Sequence, residues 1–365
     1  MNMNKMDLGE LIAMSRKYGS DPDYVLAGGG NTSCKEDGVM AIKASGVALS
    51  SIGEDGFVMM DVEKLRELTQ AVYPDDDKAR EACALKAMME ACIEKLDEKR
   101  PSVECILHAL FEKAYVLHVH PALVNGLTCG QDGAAAAAEL FSDMKDTFLW
   151  LPLIKPGFTL SKVCADLFTE QTSVILIQNH GIFIASDTTA EAERMLAEIV
   201  SKISERIVRY PELGALPLPQ DAEDLAIKLE GLYRGKAVFL LNNEVARLTA
   251  CRDAYKIVMK PFSPDHIVYC GAYPLFVDKA DELEEAFKEY EETYGTKPKI
   301  VAVRGLGVFA LGADEAEAER TAALYIDAVK ISVYCQSFGG PLALPGEYVD
   351  FIVNWESESY RQKKK

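Results

Sequence analysis

Two short apolar runs constrain the fold of this chain, because each is typical of a buried β-strand and each carries histidine at its end. Residues 115–121 read Tyr-Val-Leu-His-Val-His-Pro, and residues 174–181 read Val-Ile-Leu-Ile-Gln-Asn-His-Gly. Side chains two residues apart on a strand lie on the same side of the sheet, so His118 and His120 present two imidazoles together. If His180 approaches them, the three neutral imidazoles can hold a catalytic divalent metal, zinc first, with an open fourth position.

Composition narrows the class of protein. The chain has 365 residues, of which 49% are hydrophobic, enough for one large domain or two modest domains with buried cores. The net charge of -18 disfavours nucleic acid and anionic membranes as partners. No apolar run is long enough to predict a membrane span, and residues 1–17 lack an apolar signal segment. Nine scattered cysteines without a Cys-x-x-Cys motif indicate reduced thiols, so we expect a cytoplasmic protein.

Local patterns predict that helices and strands alternate along the chain. Apolar residues at helical spacing near Leu8 predict a first helix, and a polar segment at 35–38 predicts a hairpin between strands near Ser33 and at 39–43. Asp187 or Thr188 is expected to cap the N-terminus of a helix that begins at Thr189. Further helices are predicted at 77–98, 134–138 and 189–209, and 103–111 is either a helix or a tight turn into one. A strand is predicted at 116–120, and a strand pair that turns at Asn179-His180-Gly181 is predicted at 174–185.

The second half of the chain repeats part of the first. Residues 174–194 align with residues 300–320 at a constant offset, with seven identities. A proline-containing segment at 210–220 reads as a linker between the halves. We therefore predict a domain at 1–213 and a degenerate copy at 214–365, although a shared strand–helix pattern without duplication is the alternative.

The predicted copy lacks the metal ligands of the first domain. The offset places Leu306 at the position of His180. A looser alignment sets residues 116–120 against residues 267–271, which would replace His118 by Tyr269 and His120 by Gly271. We expect only the first half to bind metal.

Three further segments carry groups suited to anion binding or proton transfer. Gly28 to Ser33 is a glycine-rich turn, in which backbone N–H groups can approach an anion closely, and Asn31 adds a polar side chain. Lys43-Ala44-Ser45-Gly46 follows a strand and offers a hydroxyl, an N–H group and a cation. Pro101-Ser102-Val103-Glu104 places a hydroxyl and a carboxylate at a helix start. Each segment alone is also consistent with an ordinary turn or helix end. The histidine pair alone is likewise consistent with polar surface residues or with a buried pair in the core.

Together these segments resemble the class II aldolase/adducin family, typified by L-fuculose-phosphate aldolase. Gly-Gly-Asn-Thr-Ser, Ala-Ser-Gly, Pro-Ser-x-Glu, His-Val-His-Pro and Asn-His-Gly stand in the order that the family has. The resemblance covers about residues 7–210. The second half resembles the extension found in bifunctional rhamnulose-phosphate aldolase/alcohol dehydrogenases, through residues 262–266 and 304–309.

The resemblance implies a role for individual residues. Glu104 would be the catalytic acid/base, and one Zn²⁺ per chain would be the cofactor, with another divalent transition metal as an alternative. Where the family often has a second serine before the glutamate, this chain has Val103, which leaves the phosphate contacts open. The implied metal ligands are His118, His120 and His180. The implied phosphate-binding residues are Gly30, Asn31, Ser45, Gly46 and Ser102.

The resemblance also implies a fold and a reaction. The fold would be a three-layer α/β/α domain with a mainly antiparallel central sheet, in an assembly of identical chains. The enzyme would cleave a phosphorylated ketose, such as rhamnulose 1-phosphate, to dihydroxyacetone phosphate and an aldehyde through a metal-stabilised enediolate. Epimerisation of a pentulose phosphate, sugar-phosphate dehydration and a non-catalytic adducin-like binding module are the alternatives. A dehydrogenase is disfavoured because no strand leads into Gly-x-Gly-x-x-Gly.

Two histidines have no place in this scheme. His108 lies one helical turn after Glu104, so it either orients that carboxylate or is a partly buried helix histidine. His266 is expected at a strand start and receives no role.

Overall fold

The computed structural model describes residues 6–94 and 99–355, and these form two compact units. Of the described residues, unit 1 comprises 6–94, 99–124 and 134–205 together with Trp355. Unit 2 comprises Asn125–Gly133 and Arg206–Asn354. No helix among the described residues combines the length and the apolar character needed to cross a bilayer.

Each unit is built on one β-sheet. The sheet of unit 1 has the strand order β3-β2-β1-β4-β7-β6-β5, and every neighbouring pair is antiparallel except β5 and β6. The sheet of unit 2 has the order β8-β11-β10-β9. The strands are β1 Asn31–Glu36, β2 Val39–Lys43, β3 Phe57–Asp61, β4 Tyr115–Val119, β5 Phe148–Leu151, β6 Val174–Ile177, β7 Gly181–Ser186, β8 Lys236–Leu240, β9 Leu275–Val277, β10 Ile300–Val303 and β11 Gly307–Gly312.

The described ranges 6–94 and 99–355 also contain fifteen α-helices. They are α1 Gly9–Gly19, α2 Val62–Leu68, α3 Asp77–Glu90, α4 Cys105–Leu110, α5 Ala122–Thr128, α6 Gly133–Leu140, α7 Phe158–Leu167, α8 Thr189–Ser204, α9 Ala222–Tyr233, α10 Asn243–Thr249, α11 Arg252–Tyr255, α12 Pro264–Cys270, α13 Leu283–Tyr294, α14 Glu315–Tyr334 and α15 Gly346–Val353.

Helices cover both faces of the sheet in unit 1. On one face α1 packs against β1 and β4, and α8 packs against β4 and β7. On the other face α2, α3, α4 and α7 pack against one another and bury the apolar side chains of the strands. The sheet therefore has an α/β/α arrangement, and the predicted α/β fold with a mainly antiparallel sheet is confirmed.

Local signals explain several of the predicted elements. The hairpin between β1 and β2 turns at Asp37-Gly38, both with positive φ, which suits the right-handed twist of the two strands. Thr188 caps α8 by accepting a hydrogen bond from the Glu191 N–H at 3.2 Å. The first helix and the hairpins therefore lie where the sequence predicted them. Helix α8 begins at the predicted residue and ends at Ser204 instead of at 209.

The end of one predicted helix and the end of the glycine-rich turn differ from the prediction. The helix predicted at 77–98 ends at Glu90 because Ile93 donates a backbone hydrogen bond to the Met59 carbonyl at 2.9 Å, so the chain pairs with β3 instead. Residues 95–98 of that prediction lie outside the described part. The glycine-rich turn is also shorter than predicted, since β1 already begins at Asn31.

The four strands of unit 2 have the same pairing as half of the unit 1 sheet. In unit 1, β4 pairs antiparallel with β7, β7 forms a hairpin with β6, and β5 pairs parallel with β6 at the edge. In unit 2, β8 pairs antiparallel with β11, β11 forms a hairpin with β10, and β9 pairs parallel with β10 at the edge. The turns also agree: Asn179 has a φ of 57° and Gly305 a φ of 70°. The backbone bond from His180 to Ile177 measures 3.1 Å, and that from Leu306 to Val303 measures 3.0 Å. These correspondences support the predicted duplication, which remains a proposal.

One part of the predicted alignment is wrong. Residues 264–270, which include Tyr269, form helix α12 rather than a strand, so they cannot correspond to β4. By sheet position the counterpart of β4 is β8, and the paired registers set His118 against Phe239. His266, predicted at a strand start, also lies in α12. Ser263 and Pro264 explain the helix, because serine favours the position before a helix and proline its first turn.

Candidate metal centre and catalytic site

Three histidines from two neighbouring parts of the sheet converge. His118 lies in β4, His120 follows the end of that strand, and His180 lies in the turn between β6 and β7. One nitrogen from each ring lies within 4.8 Å of the others. The antiparallel pairing of β4 with β7 brings them together, because it sets the end of β4 beside the turn. The structure therefore places the three predicted ligands in one cluster that could hold a metal ion.

The environment of His118 fixes its tautomer. Its Nδ1 lies 2.9 Å from the Ile182 carbonyl oxygen, which can only accept, so Nδ1 donates and Nε2 carries the lone pair. The ring stacks face to face on Phe183 at 3.7 Å between centroids. Burial lowers the pKa of His118 well below its usual range, although Glu104 acts in the opposite direction. His118 therefore presents a neutral imidazole, the form that binds metal.

The arrangement of the imidazoles fits a metal site. The Nε2 atoms of His118 and His120 lie 2.9 Å apart. Two imidazole nitrogens at this separation need a shared proton or a shared cation, because two facing lone pairs repel. Nitrogen ligands from three histidines suit zinc and other divalent transition metals. The residues present therefore fit the metal that the resemblance implies.

Two glycines allow the strands and turns to approach this cluster. Gly30 has a φ of 62°, and a Cβ there would lie 2.6 Å from the His118 carbonyl oxygen. A Cβ on Gly181 would lie 2.6 Å from Cδ2 of His120. Larger residues at either position would push the backbone away from the histidines. The structure thus gives Gly30 a packing function beside the cluster.

Glu104 lies directly against the histidines. Its Oε1 is 3.2 Å from Nε2 of His180, and its Oε2 is 3.4 Å from Nε2 of His118. Asn31 donates from Nδ2 to Oε2 at 2.6 Å. Burial opposes ionisation of Glu104, but a hydrogen bond from His180 and another from Asn31 hold its pKa well below its usual range. The site therefore contains an ionised carboxylate although Glu104 is buried.

The predicted anion-binding loops are neighbours in the structure. Ser45 donates its backbone N–H to the Arg100 carbonyl at 2.8 Å, and Ser102 donates its own to the Lys43 carbonyl at 3.0 Å. The Ser102 hydroxyl accepts the Glu104 N–H at 3.3 Å. Gly46 has a φ of 83°, which keeps the loop after β2 tightly turned. These bonds join the Ser45 and Ser102 segments and connect them to Glu104.

Asn31 occupies a position between these groups. It pairs with His118 across β1 and β4, and one N–H of its amide goes to Glu104. Its Oδ1 is buried, with no hydrogen-bond partner among the described residues. The sequence predicted a phosphate ligand here, and the structure places Asn31 as a hydrogen-bond partner of the Glu104 carboxylate.

Sequence reasoning missed three contacts of the cluster. The Ile182 carbonyl orients His118, Phe183 stacks on it, and the Tyr24 carbonyl accepts the backbone N–H of His120 at 3.1 Å. Backbone carbonyls leave no signal in a sequence. Phe183 belongs to the predicted strand 174–185, but its place opposite His118 depends on strand register, which the sequence leaves open.

Comparison with known proteins identifies the family of unit 1. Residues 9–204 match the family model described as class II aldolase and adducin N-terminal domain. The chain is 23% identical to the uncharacterized oxidoreductase YuxG of Bacillus subtilis, over 96% of the chain and 58% of that protein. The chain thus spans little more than half the length of this curated relative.

Solved structures of aldolase-related proteins are also similar. The N-terminal class II aldolase domain of a Thermoplasma acidophilum protein is 28% identical, with a TM-score of 0.48 over 56% of this chain and 95% of that one. L-Fuculose-1-phosphate aldolase from Thermus thermophilus is 16% identical, with a TM-score of 0.36 over 54% and 94%. Since the family model covers more than half of the chain, the protein belongs to the class II aldolase and adducin family.

Proposed function

We propose that this protein is a zinc-dependent aldolase that cleaves a phosphorylated ketose, such as rhamnulose 1-phosphate, to dihydroxyacetone phosphate and an aldehyde. One observation carries the proposal: the Glu104 carboxylate lies 3.2 and 3.4 Å from two of three converging imidazoles. An acid/base group beside a metal site is what cleavage next to a carbonyl needs, because a proton must move where the negative charge develops.

The chain's own residues divide the work. His118, His120 and His180 would hold the ion, which supplies Lewis-acid stabilisation of the charge left by the broken carbon–carbon bond. Glu104, ionised and buried, moves the proton to and from the substrate carbon. Asn31 holds Oε2 of Glu104 in place through its 2.6 Å bond. Burial of these groups excludes water, which strengthens each polar contact.

The phosphate would bind beside the carboxylate. Backbone bonds join the Ser45 segment to the Ser102 segment, and Ser102 contacts Glu104 through its hydroxyl. The backbone N–H groups of Ser45 and Ser102 are bonded to carbonyls, so the hydroxyls of these two residues and the Gly46 N–H would bind the phosphate oxygens. Gly30 and Asn31 complete the proposed phosphate site. In this arrangement the phosphate would fix the substrate relative to Glu104.

The test combines metal content with product analysis. We expect about one zinc per purified chain and release of dihydroxyacetone phosphate from rhamnulose 1-phosphate or fuculose 1-phosphate. A chelator should abolish the release, and added zinc should restore it. Activity that survives complete metal removal would contradict the proposal. Metal without cleavage would favour epimerisation or dehydration on the same scaffold, and a chain that takes up no metal would favour an adducin-like binding module.

A further inference from the structure

Side chains on one face of β1 form hydrogen bonds with α4 and with Glu104, the residue just before α4. Side chains alternate along a strand, so Asn31, Ser33 and Lys35 lie on the same side of β1. Asn31 bonds Glu104 at 2.6 Å, Ser33 bonds Nδ1 of His108 at 2.8 Å, and Lys35 donates to the His108 carbonyl at 2.8 Å. The three side chains on this face of β1 therefore bind the segment that starts at Glu104.

His108 is enclosed and cannot touch a substrate. Its side chain and that of Ser33 are fully buried. Its Nε2 has no hydrogen-bond partner among the described residues, so within that part of the chain the ring bonds through Nδ1 to Ser33. Burial, with a smaller effect from Lys35, lowers the pKa of His108 to about 3. His108 is therefore neutral and acts only through its neighbours.

His108 is connected to the metal cluster as well as to Glu104. Its ring meets the edge of Phe183 at 5.6 Å between centroids, and Phe183 stacks on His118 at 3.7 Å. Its backbone N–H donates to the Glu104 carbonyl at 3.0 Å. A shift of His108 would thus be passed to the carboxylate and to one ligand ring.

Helix α4 needs such support. It has six residues, Cys105–Leu110, and helices this short are unstable without tertiary contacts. Glu104 precedes the helix, and its side chain makes no capping bond. Its position therefore depends on what the following turn is bonded to.

We propose that Ser33, Lys35 and His108 are positioning residues, which fix α4 on β1 so that the Glu104 carboxylate stays against His118 and His180. The proposal rests on the proposed function in that it takes Glu104 as the acid/base. It assigns no contact with the substrate to these three residues.

The first test compares two buried hydroxyls on opposite faces of β1. Ser33→Ala removes the bond to His108, and Thr32→Val removes a 2.6 Å bond to Ser15 in α1. Both side chains are fully buried. We expect similar losses of thermal stability, but only Ser33→Ala should lower kcat, by roughly 10- to 100-fold, because small misplacements of catalytic groups are costly. KM should change little in either variant.

The second test asks whether a conservative change rescues activity. His108→Phe keeps the ring against Phe183 and loses the Ser33 bond, whereas His108→Asn keeps a polar atom near the Nδ1 position. We expect the Phe variant to lose kcat as Ser33→Ala does, and the Asn variant to recover most of it. Lys35→Met, which keeps the length and removes the amine, should give a smaller loss of the same kind.

A readout that does not need turnover separates this proposal from the proposed function. Co²⁺ bound to the histidines has visible absorption that depends on nearby ligands, so Glu104→Gln gives a reference shift. Ser33→Ala and His108→Phe should shift the spectrum in the same direction, and Thr32→Val should not.

The outcomes are distinct. A shifted spectrum in a protein that cleaves no sugar phosphate would support the positioning role and reject the aldolase reaction. Unchanged spectra, or equal losses of kcat in Ser33→Ala and Thr32→Val, would overturn the positioning role alone. A wild-type chain that binds no Co²⁺ would overturn both.

Discussion

At the scale of single residues, Glu104 is the group whose removal separates metal binding from turnover. Its carboxylate lies beside the imidazoles, yet three histidines remain to hold an ion without it. Glu104→Gln should therefore keep about one metal per chain and lower kcat by roughly 10²- to 10⁴-fold, the usual contribution of a placed acid/base. Metal analysis and steady-state kinetics on the same sample check this. Loss of the metal together with activity would show that Glu104 is a ligand rather than the acid/base.

The pKa of His108 predicts how acid affects the metal-free protein. The pKa is lowered from about 6.5 to about 3, so below pH 6.5 the unfolded chain binds a proton that the folded chain does not. The contribution of His108 to the free energy of unfolding is fully present above that pH. As the pH decreases below it, this contribution falls by about 1.4 kcal/mol per pH unit. Urea unfolding of wild type and His108→Phe between pH 8 and pH 5 should show a shallower acid slope in the variant. Parallel slopes would mean that His108 is protonated when folded.

The sequence identified the residues of the cluster but not their partners. His118, His120, His180 and Glu104 belong to short ordered motifs, and the structure brings all four together. Ser33 and His108 are 75 positions apart, and only the packing of α4 on β1 makes them neighbours. The structure shows His108 as a helix histidine that is fully rather than partly buried, and its role in positioning Glu104 is a proposal.

At the scale of elements, the close approach of β7 to the histidines depends on Gly181. A methyl group there would lie 2.6 Å from both His120 Cδ2 and the Val119 carbonyl, so Gly181→Ala must displace the strand or the ring. We expect a loss of roughly 1–3 kcal/mol, typical of overpacking, together with weaker metal binding. Gly231→Ala in α9 is the control, because a Cβ there meets nothing within 4 Å. Chemical unfolding and a zinc competition titration check both; equal behaviour of the two variants would contradict the argument.

Element boundaries were predictable where the signal is local and not where tertiary pairing decides. The Asp37-Gly38 hairpin and the Thr188 cap follow from backbone preferences of those residues. The end of α3 at Glu90 is set by pairing of the following residues with β3, which lies about thirty positions earlier in the chain. The start of α12 did have a local signal, Ser263 followed by Pro264, that the strand prediction overlooked.

At the scale of the whole molecule, the two sheets allow a comparison of equivalent positions. The pairing of β8 with β11 has the register of β4 with β7, which sets Phe239 at the position of His118. By the same registers, Leu241 is equivalent to His120, and Leu306 in the turn between β10 and β11 is equivalent to His180. The counterpart of the metal cluster in unit 2 is thus made of apolar side chains, which cannot hold a divalent cation.

This comparison predicts one metal per chain and tells which sheet holds it. His120→Ala should reduce bound zinc from about one to none, since two imidazoles give a weak site. Leu241→Ala, at the equivalent position, should leave the metal content unchanged even where it lowers stability. Elemental analysis of both purified variants, with circular dichroism to verify folding, measures the difference. Either of two results would mean that unit 2 also contributes to metal binding: two metals per wild-type chain, or loss of metal in Leu241→Ala with the fold intact. The proposed degenerate copy would then retain a function of its own.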